Sequence, residues 1–401
     1  MNRYQNFKKT QLIFAAIFIL TAVSGTVWFV LQRWIHSSPG NDIDAFIQNK
    51  MRQDHLPGLA AAIVNDQKVL WCKGYGKANI EKGIPVTPFT MFMLGSLSKT
   101  VTATAIMQLY ELGKFGLDED INHFLPGSLR NPKYPDVPIT FRMLLTHTSS
   151  LTRKDNLNRA KSLYLKGGSP QFSLHEAFRQ HFLPGGKYYT GEKKFTKFKP
   201  GEHYKYSSLN LLFAAYLVER ISGINFEQYC SGHIFLPLGI QDASWHFKPD
   251  QSDRTAMPYD YKKGKFVSYG HYDVPFYPSG GLRINIQDLA KFFIAFINYG
   301  SYGDAQILKR ETVEEMRRIQ YPDIASFQGI TWYYAPLDGK QYLGHSGMIY
   351  GVSADMYFDP AKKIGVILFI NTNTKEKTLV DLFRRFFKEA EGIDLPPKSA
   401  R

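Results

Sequence analysis

The sequence predicts an α+β fold: an antiparallel sheet built from both chain ends, flanked by helices, with an inserted, mostly helical region. Three observations carry that expectation. Apolar runs of strand length cluster near the two ends, at residues 59–76 and 341–371. Helical periodicity dominates the stretch between them. The aromatic load, 30 Phe and 24 Tyr, suits a sheet with thick core packing against it. At 401 residues, 44% hydrophobic and 21% charged, the chain can bury a sizeable core, and it holds no low-complexity tract or repeat of solenoid length.

The elements follow in order. Ile43 to Met51 reads as an amphipathic helix. Strands Leu59 to Val64 and Lys68 to Gly76, turned at Asn65-Asp66-Gln67, form an amino-terminal hairpin. A long helix runs from Ser96 to Leu112 and stops at Gly113; another, Leu209 to Ser222, ends near Gly223. Three strands follow at Gln341 to Gly344, Val352 to Phe358 and Ile364 to Asn371, the last two joined by the turn Asp359-Pro360-Ala361-Lys362-Lys363. A final helix, Leu379 to Glu391, places Leu379, Leu382, Phe383, Phe386 and Phe387 on one face.

Ahead of these elements, Thr10 to Gln32 carries no charge and is almost wholly apolar. About twenty such residues, at roughly 1.5 Å each, span a hydrocarbon layer about 30 Å thick. Arg3, Lys8 and Lys9 precede the run, keeping the amino end cytoplasmic, and Trp28 and Trp34 suit the interfacial belt. The rival reading is a signal peptide cleaved near Ala22-Val23-Ser24, but Val27 to Leu31 carries the apolar run well past that point. Under either reading the later residues lie outside the cytoplasm. The expected organisation is a stub and transmembrane anchor at 1–35, a linker at 36–42, one domain at 43–390 and a tail at 391–401.

The net charge is +14, and more than half of it falls between Arg153 and Lys199, a stretch that also holds Gly167-Gly168 and Pro184-Gly185-Gly186. It reads as a basic surface insertion at about 152–199: either a plain solvated loop or a surface for an anionic polymer. No zinc-finger spacing or RNP-like motif accompanies it, so no nucleic-acid partner is expected. Cys72 and Cys230 make no metal motif or disulfide framework, and their pairing is left open. His203, His233, His246 and His271 lack ligand-like spacing, so neither a metal nor another cofactor is expected.

The chemistry begins at Gly95-Ser96-Leu97-Ser98-Lys99. On a helix, Ser96 and Lys99 project from one face. A serine hydroxyl is a poor nucleophile until a base takes its proton, and a lysine with a lowered pKa can do that. A helix start adds free N–H groups that favour developing negative charge. Alone the signal is weak, because a chain this long holds about one or two Ser-x-x-Lys strings by chance. Company strengthens it: Leu144-Leu145-Thr146-His147-Thr148-Ser149-Ser150-Leu151, Tyr204-Lys205-Tyr206-Ser207-Ser208-Leu209-Asn210, Pro237-Leu238-Gly239, Ser279-Gly280-Gly281-Leu282, and Gly344-His345-Ser346-Gly347 on a late strand.

In order and spacing these motifs resemble the serine β-lactamase and penicillin-binding-protein superfamily, over roughly residues 43–390. The likeness is greatest to its class C branch, which includes D-alanyl-D-alanine carboxypeptidases, D-aminopeptidases and esterases. The resemblance implies a β-lactamase/transpeptidase-like fold and an acyl-enzyme on Ser96, with Lys99 as its partner. It makes Tyr206 the tyrosine that relays the proton, as phenolate or as hydrogen-bonded phenol, and the base of the hydrolytic step. His345-Ser346-Gly347 takes the place of Lys-Thr-Gly, and the N–H groups of Ser96 and Met348 form the oxyanion hole. Two departures stand out. Ser208 replaces the usual asparagine, with Asn210 expected to point elsewhere. His345 replaces lysine and is a cation only when protonated. His147 reads as a capping or packing residue, and Ser279-Gly280-Gly281 as close backbone approach without chemistry. The expected partner is a peptide or ester substrate, cell-wall derived in the first instance. The alternatives are a weakly catalytic penicillin-binding or sensor protein and a class C-like β-lactamase.

Overall fold

The computed structural model describes residues 39–152, 165–166 and 173–392. The apolar run at 10–32, most of the basic stretch at 153–172 and most of the tail lie outside the described residues. Among those described, no helix is long and apolar enough to cross a membrane. Residues 1–50 and 51–401 divide into two units. Helix α1 (Pro39–Gln53) starts in the first, and its first turn takes up residues 39–42, read as linker from the sequence. Proline suits that first turn, since its missing N–H has no intrahelical partner there.

In the second unit, β1 (Gly58–Val64) pairs antiparallel with β2 (Val69–Asn79), and β3 (Ile84–Pro85) extends the hairpin. Helices α2 (Ser98–Glu111), α3 (Ser208–Ser222) and α4 (Ile286–Ile297) come next, then β4 (Tyr333–Leu337), β5 (Lys340–Ile349), β6 (Val352–Asp359), β7 (Ile364–Ile370) and α5 (Glu376–Gly392). The seven strands lie in the order β4-β5-β6-β7-β1-β2-β3. The seam between the chain ends is β1 against β7, from Leu59 opposite Ile370 to Val64 opposite Gly365. A sheet built from both ends was expected, and its two halves meet there.

Two strands of the seven-stranded sheet escape sequence reading for physical reasons. Ile84–Pro85 is too short to show alternation. Tyr333–Leu337 contains Pro336, which a central strand rejects but an edge strand tolerates because no ladder bond is needed on the outer side. The late strand also runs on past Gly344 to Ile349, carrying His345 to Met348 within the sheet.

Helix α2 is buried almost all round, including Val101, Ala105, Ile106 and Leu109. Its buried hydroxyls are satisfied: Thr100 donates to Leu97 O at 2.8 Å and Thr102 to Pro278 O at 2.7 Å. It packs on α3, which ends at Gly223 as expected, and α4 lies on β1 and β7. Phe292, Phe293 and Ile297 of α4 share one core with Ala60, Ala62 and Val64 of β1. Trp332 stacks on Phe296 with centroids 3.7 Å apart. Full burial of one such side chain contributes about 1.5–3 kcal/mol.

The basic stretch is only partly a surface loop. Phe178 and Phe182, on a helix at Leu174–Phe182, pack on Phe213 of α3. Lys194 is buried at 2% exposure, its ammonium 5.7 Å from the centroid of the Phe182 ring. Cys72 and Cys230 are both free thiols.

Candidate active site

Ser96 does not begin the helix. It sits in a 3-10 turn, Gly95–Leu97, and α2 starts two residues later. The turn still aims Ser96 and Lys99 at each other: Lys99 Nζ donates to Ser96 Oγ at 2.9 Å. The same ammonium donates to the carbonyl of Ser279 at 2.7 Å. Lys99 is fully buried, and a buried ammonium is tolerable only where acceptors replace its water. The Ser279 carbonyl is one of those acceptors, so Ser279-Gly280-Gly281 does have a part in the site. The Ser279 hydroxyl also donates to Ser208 O at 2.6 Å, tying this loop to the start of α3.

Tyr206 hydrogen-bonds the Ser96 hydroxyl, and its ring centroid lies 5.2 Å from Lys99 Nζ. Burial around the phenol pushes its pKa up to about 12, which the Ser96 hydrogen bond only partly offsets. The phenol therefore keeps its proton at neutral pH. Of the two forms implied by the resemblance, the hydrogen-bonded phenol fits this site.

His147 braces the segment that carries Tyr206. Its carbonyl accepts from Lys205 N at 2.8 Å, and its Nδ1 accepts from Asn210 Nδ2 at 2.9 Å. Its ring lies 4.5 Å from that of Tyr206. Because Asn210 Oδ1 accepts from Ser149 Oγ at 2.6 Å, the Asn210 amide is committed to the interior and cannot stand in for the asparagine missing at Ser208. His147 has φ +59°, a left-handed conformation rare outside glycine and typical of tightly determined sites. A sequence signal existed: a histidine inside a dense run of hydroxyl residues.

Strand β5 closes the other side through a missing side chain. A Cβ on Gly347 would lie 1.9 Å from Leu94 O and 2.8 Å from Leu97 N, so only glycine lets the strand come this close to the serine turn. A Cβ on Gly95, whose φ is +51°, would stand 3.0 Å from Met348 N. The main chain of Met348 is thereby laid beside that of Ser96.

His345 is buried on β5. Its Nδ1 lies 2.6 Å from the Ser346 carbonyl, which only accepts, so Nδ1 carries the proton and Nε2 is left as an acceptor. Burial, reinforced by the nearby Lys99 charge, lowers its pKa to about 3. The residue in the lysine position is thus a neutral imidazole, and a cation by protonation is unavailable there at ordinary pH. Ser346, expected among the substrate-binding groups, faces away. Its hydroxyl lies 2.7 Å from Tyr357 Oη, on the side of the strand opposite His345.

The cleft over Ser96 has a volume of about 380 Å³. One wall is Val274, Pro275 and Phe276, the other Met348, Ile349, Tyr350 and Asn373, with Ser208, Ser279 and Gly280 near the serine. Among the described residues, none that lines the cleft is charged.

A family model described as Beta-lactamase matches residues 43–388. The putative penicillin-binding protein PbpX of Bacillus subtilis (strain 168) is 27% identical over 333 residues, 82% of this chain and 74% of that protein. The solved octameric penicillin-binding protein homologue of Pyrococcus abyssi superposes with TM-score 0.71 at 27% identity, covering 87% of this chain and 77% of that one. D-alanine carboxypeptidase AmpC from Burkholderia cenocepacia shares the fold, with TM-score 0.65 at 21% identity over 86% of this chain and 97% of its own. A serine turn, a buried lysine, a tyrosine and a glycine-bearing strand thus meet on a scaffold these proteins share, and the chain belongs to the β-lactamase family of serine hydrolases.

Proposed function

We propose that this protein hydrolyses uncharged carboxylic esters or amides through an acyl-enzyme on Ser96, outside the cytoplasm. The observation that carries the reading is the contact of a fully buried Lys99 with Ser96 Oγ at 2.9 Å, with the Tyr206 phenol on the same hydroxyl. In the reacting form Lys99 is the neutral amine. Ser96 Oγ bonds the substrate carbonyl carbon as its proton passes to Lys99 Nζ, and the ammonium so formed re-protonates Tyr206 once the phenol has given its own proton to the leaving group. The carbonyl oxygen becomes an oxyanion held by the N–H groups of Ser96 and Met348. The phenol proton goes to the departing alkoxide or amine, leaving an ester on Ser96. Water then attacks that ester, its proton taken by the same relay, and Ser96 is released with the free acid.

Two features support an uncharged substrate. A peptide ending in a free carboxylate calls for a cation facing the cleft, but His345 is neutral and, among the described residues, no charged side chain lines the cleft. The wall Val274-Pro275-Phe276 offers apolar contact instead. The extracytoplasmic location rests on the charge-free run from Thr10 to Gln32 behind Arg3, Lys8 and Lys9.

The test is covalent labelling of the full chain with a fluorophosphonate and a fluorescent penicillin, beside Ser96→Ala, followed by turnover of a neutral ester and of a D-alanyl-D-alanine peptide. Ester turnover that is lost in Ser96→Ala is the expected result. Stoichiometric labelling without turnover would favour a penicillin-binding sensor, and fast nitrocefin hydrolysis a β-lactamase. No labelling of folded protein would remove the hydrolase reading.

A further inference from the structure

Behind β5, on the face turned away from His345, lies a second cavity of about 440 Å³, a size typical of small-molecule sites. Its polar end is a hydrogen-bonded chain across three strands. The Asp355 carboxyl bonds the Ser346 hydroxyl, which lies 2.7 Å from Tyr357 Oη, and Tyr357 donates to Tyr333 Oη at 2.5 Å. The chain exists because Gly344 stands between the two tyrosines in the register; a Cβ there would lie 2.4 Å from the Tyr357 ring. Much of the remaining wall is apolar, with Pro336 and Leu337 of β4 and Leu379, Val380, Phe383 and Phe387 of α5.

Charge selects the occupant. Asp355 is 3% exposed and lines the cavity, Glu376 also lines it, and among the described residues no lysine, arginine or histidine does. Burial raises the Asp355 pKa to about 7, so the carboxyl sits at the edge of ionisation for want of a positive neighbour. Aromatic rings line the same cavity, Tyr357 and Phe383 with centroids 5.5 Å apart, and ring faces attract cations. A buried acid, hydroxyl groups and aromatic rings around an apolar space are complementary to an organic ammonium ion, whereas an anion would meet two carboxyl groups.

We propose that this cavity is a binding site for a small ligand with an apolar body and a cationic ammonium head, distinct from the cleft that holds Ser96. The head pairs with Asp355 and the body lies against α5.

The experiment is isothermal titration of the full chain with 2-phenylethylammonium at pH 8, with 2-phenylethanol and 3-phenylpropanoate as neutral and anionic controls. The ammonium is expected to bind about tenfold or more tightly than either control, as a charge-assisted hydrogen bond implies. Asp355→Asn should lose about the same factor. Val380→Trp, which fills the cavity from the helix side, should abolish binding while circular dichroism and Ser96 labelling stay unchanged, and this variant decides the matter if Asp355→Asn does not fold. Protein already blocked at Ser96 by fluorophosphonate should bind the ammonium as before. Equal affinity for all three probes, or affinity indifferent to both variants, would overturn the proposal. So would loss of binding on blocking Ser96, which would place the ligand in the cleft. Heat of binding needs no catalysis, so these outcomes stand apart from those that test the hydrolase reading.

Discussion

Lys99 reaches 180 positions along the chain to place its ammonium 2.7 Å from the carbonyl of Ser279, while holding Ser96 Oγ at 2.9 Å. A main-chain acceptor on one side and the nucleophile on the other fix the amine. Lys99→Met should therefore cut acylation of Ser96 by about 10²- to 10⁴-fold, the range for removing a positioned acid–base group. Ser279→Ala keeps the carbonyl and loses only the bond to Ser208, so its labelling rate should stay within about tenfold of wild type. Rates of fluorophosphonate labelling compare the two.

Gly347 is held by contact rather than by backbone conformation, with Leu94 O 1.9 Å from where its Cβ would stand. Gly347→Ala must push β5 away from the serine turn. Such overpacking costs about 1–3 kcal/mol, and the Met348 N–H moves out of place with it. Thermal denaturation should show the loss of stability, and labelling should fall further than stability alone explains.

Removing the His147 ring leaves the Asn210 amide without its 2.9 Å partner. His147→Phe should cost about 1–3 kcal/mol, the penalty for an unsatisfied buried group. Because the ring also backs Tyr206, kcat for an ester should drop while KM changes little. An equal loss in both would make His147 structural only.

Neutral His345 makes a prediction about charge. With a pKa near 3 it does not titrate between pH 5 and 8, so ester turnover should show no step there that His345→Gln removes. His345→Lys should shift preference toward substrates bearing a carboxylate, measured as the ratio of kcat/KM for a D-alanyl peptide and a neutral ester.

Asp355 carries a pH signature in stability. Its folded pKa, about 7, is raised above the unfolded carboxyl value by burial. Its stabilising contribution is therefore fully present below about pH 4 and is lost as pH rises to about 7, at up to about 1.4 kcal/mol per pH unit. Asp355→Asn removes that dependence. The variant should gain stability over wild type between pH 4.5 and 7.5 and hold a constant difference above. Urea denaturation at several pH values reads it, and the depressed histidines at 147 and 345 cancel in the comparison.

The sheet from both ends, the α3 stop at Gly223 and the pairing of Ser96 with Lys99 were legible in the order of residues. Each of these is local: periodicity, a terminating glycine, and a spacing of three that survives whether the serine lies in a helix or in the turn before it. The strand at Tyr333–Leu337 stayed illegible because its proline is acceptable only at an edge, which the sequence cannot specify. Tertiary structure alone decided the roles that depend on neighbours distant in the chain. The Ser279 carbonyl became a lysine acceptor because its loop folds over α2, and His147 became a brace because Asn210 turns inward. His345 lost its charge to burial beside Lys99, and Ser346 left the cleft because alternate residues on a strand face opposite ways. Spacing along a chain fixes which groups share a turn; only packing fixes the dielectric, the counter-charge and the face that each of them meets.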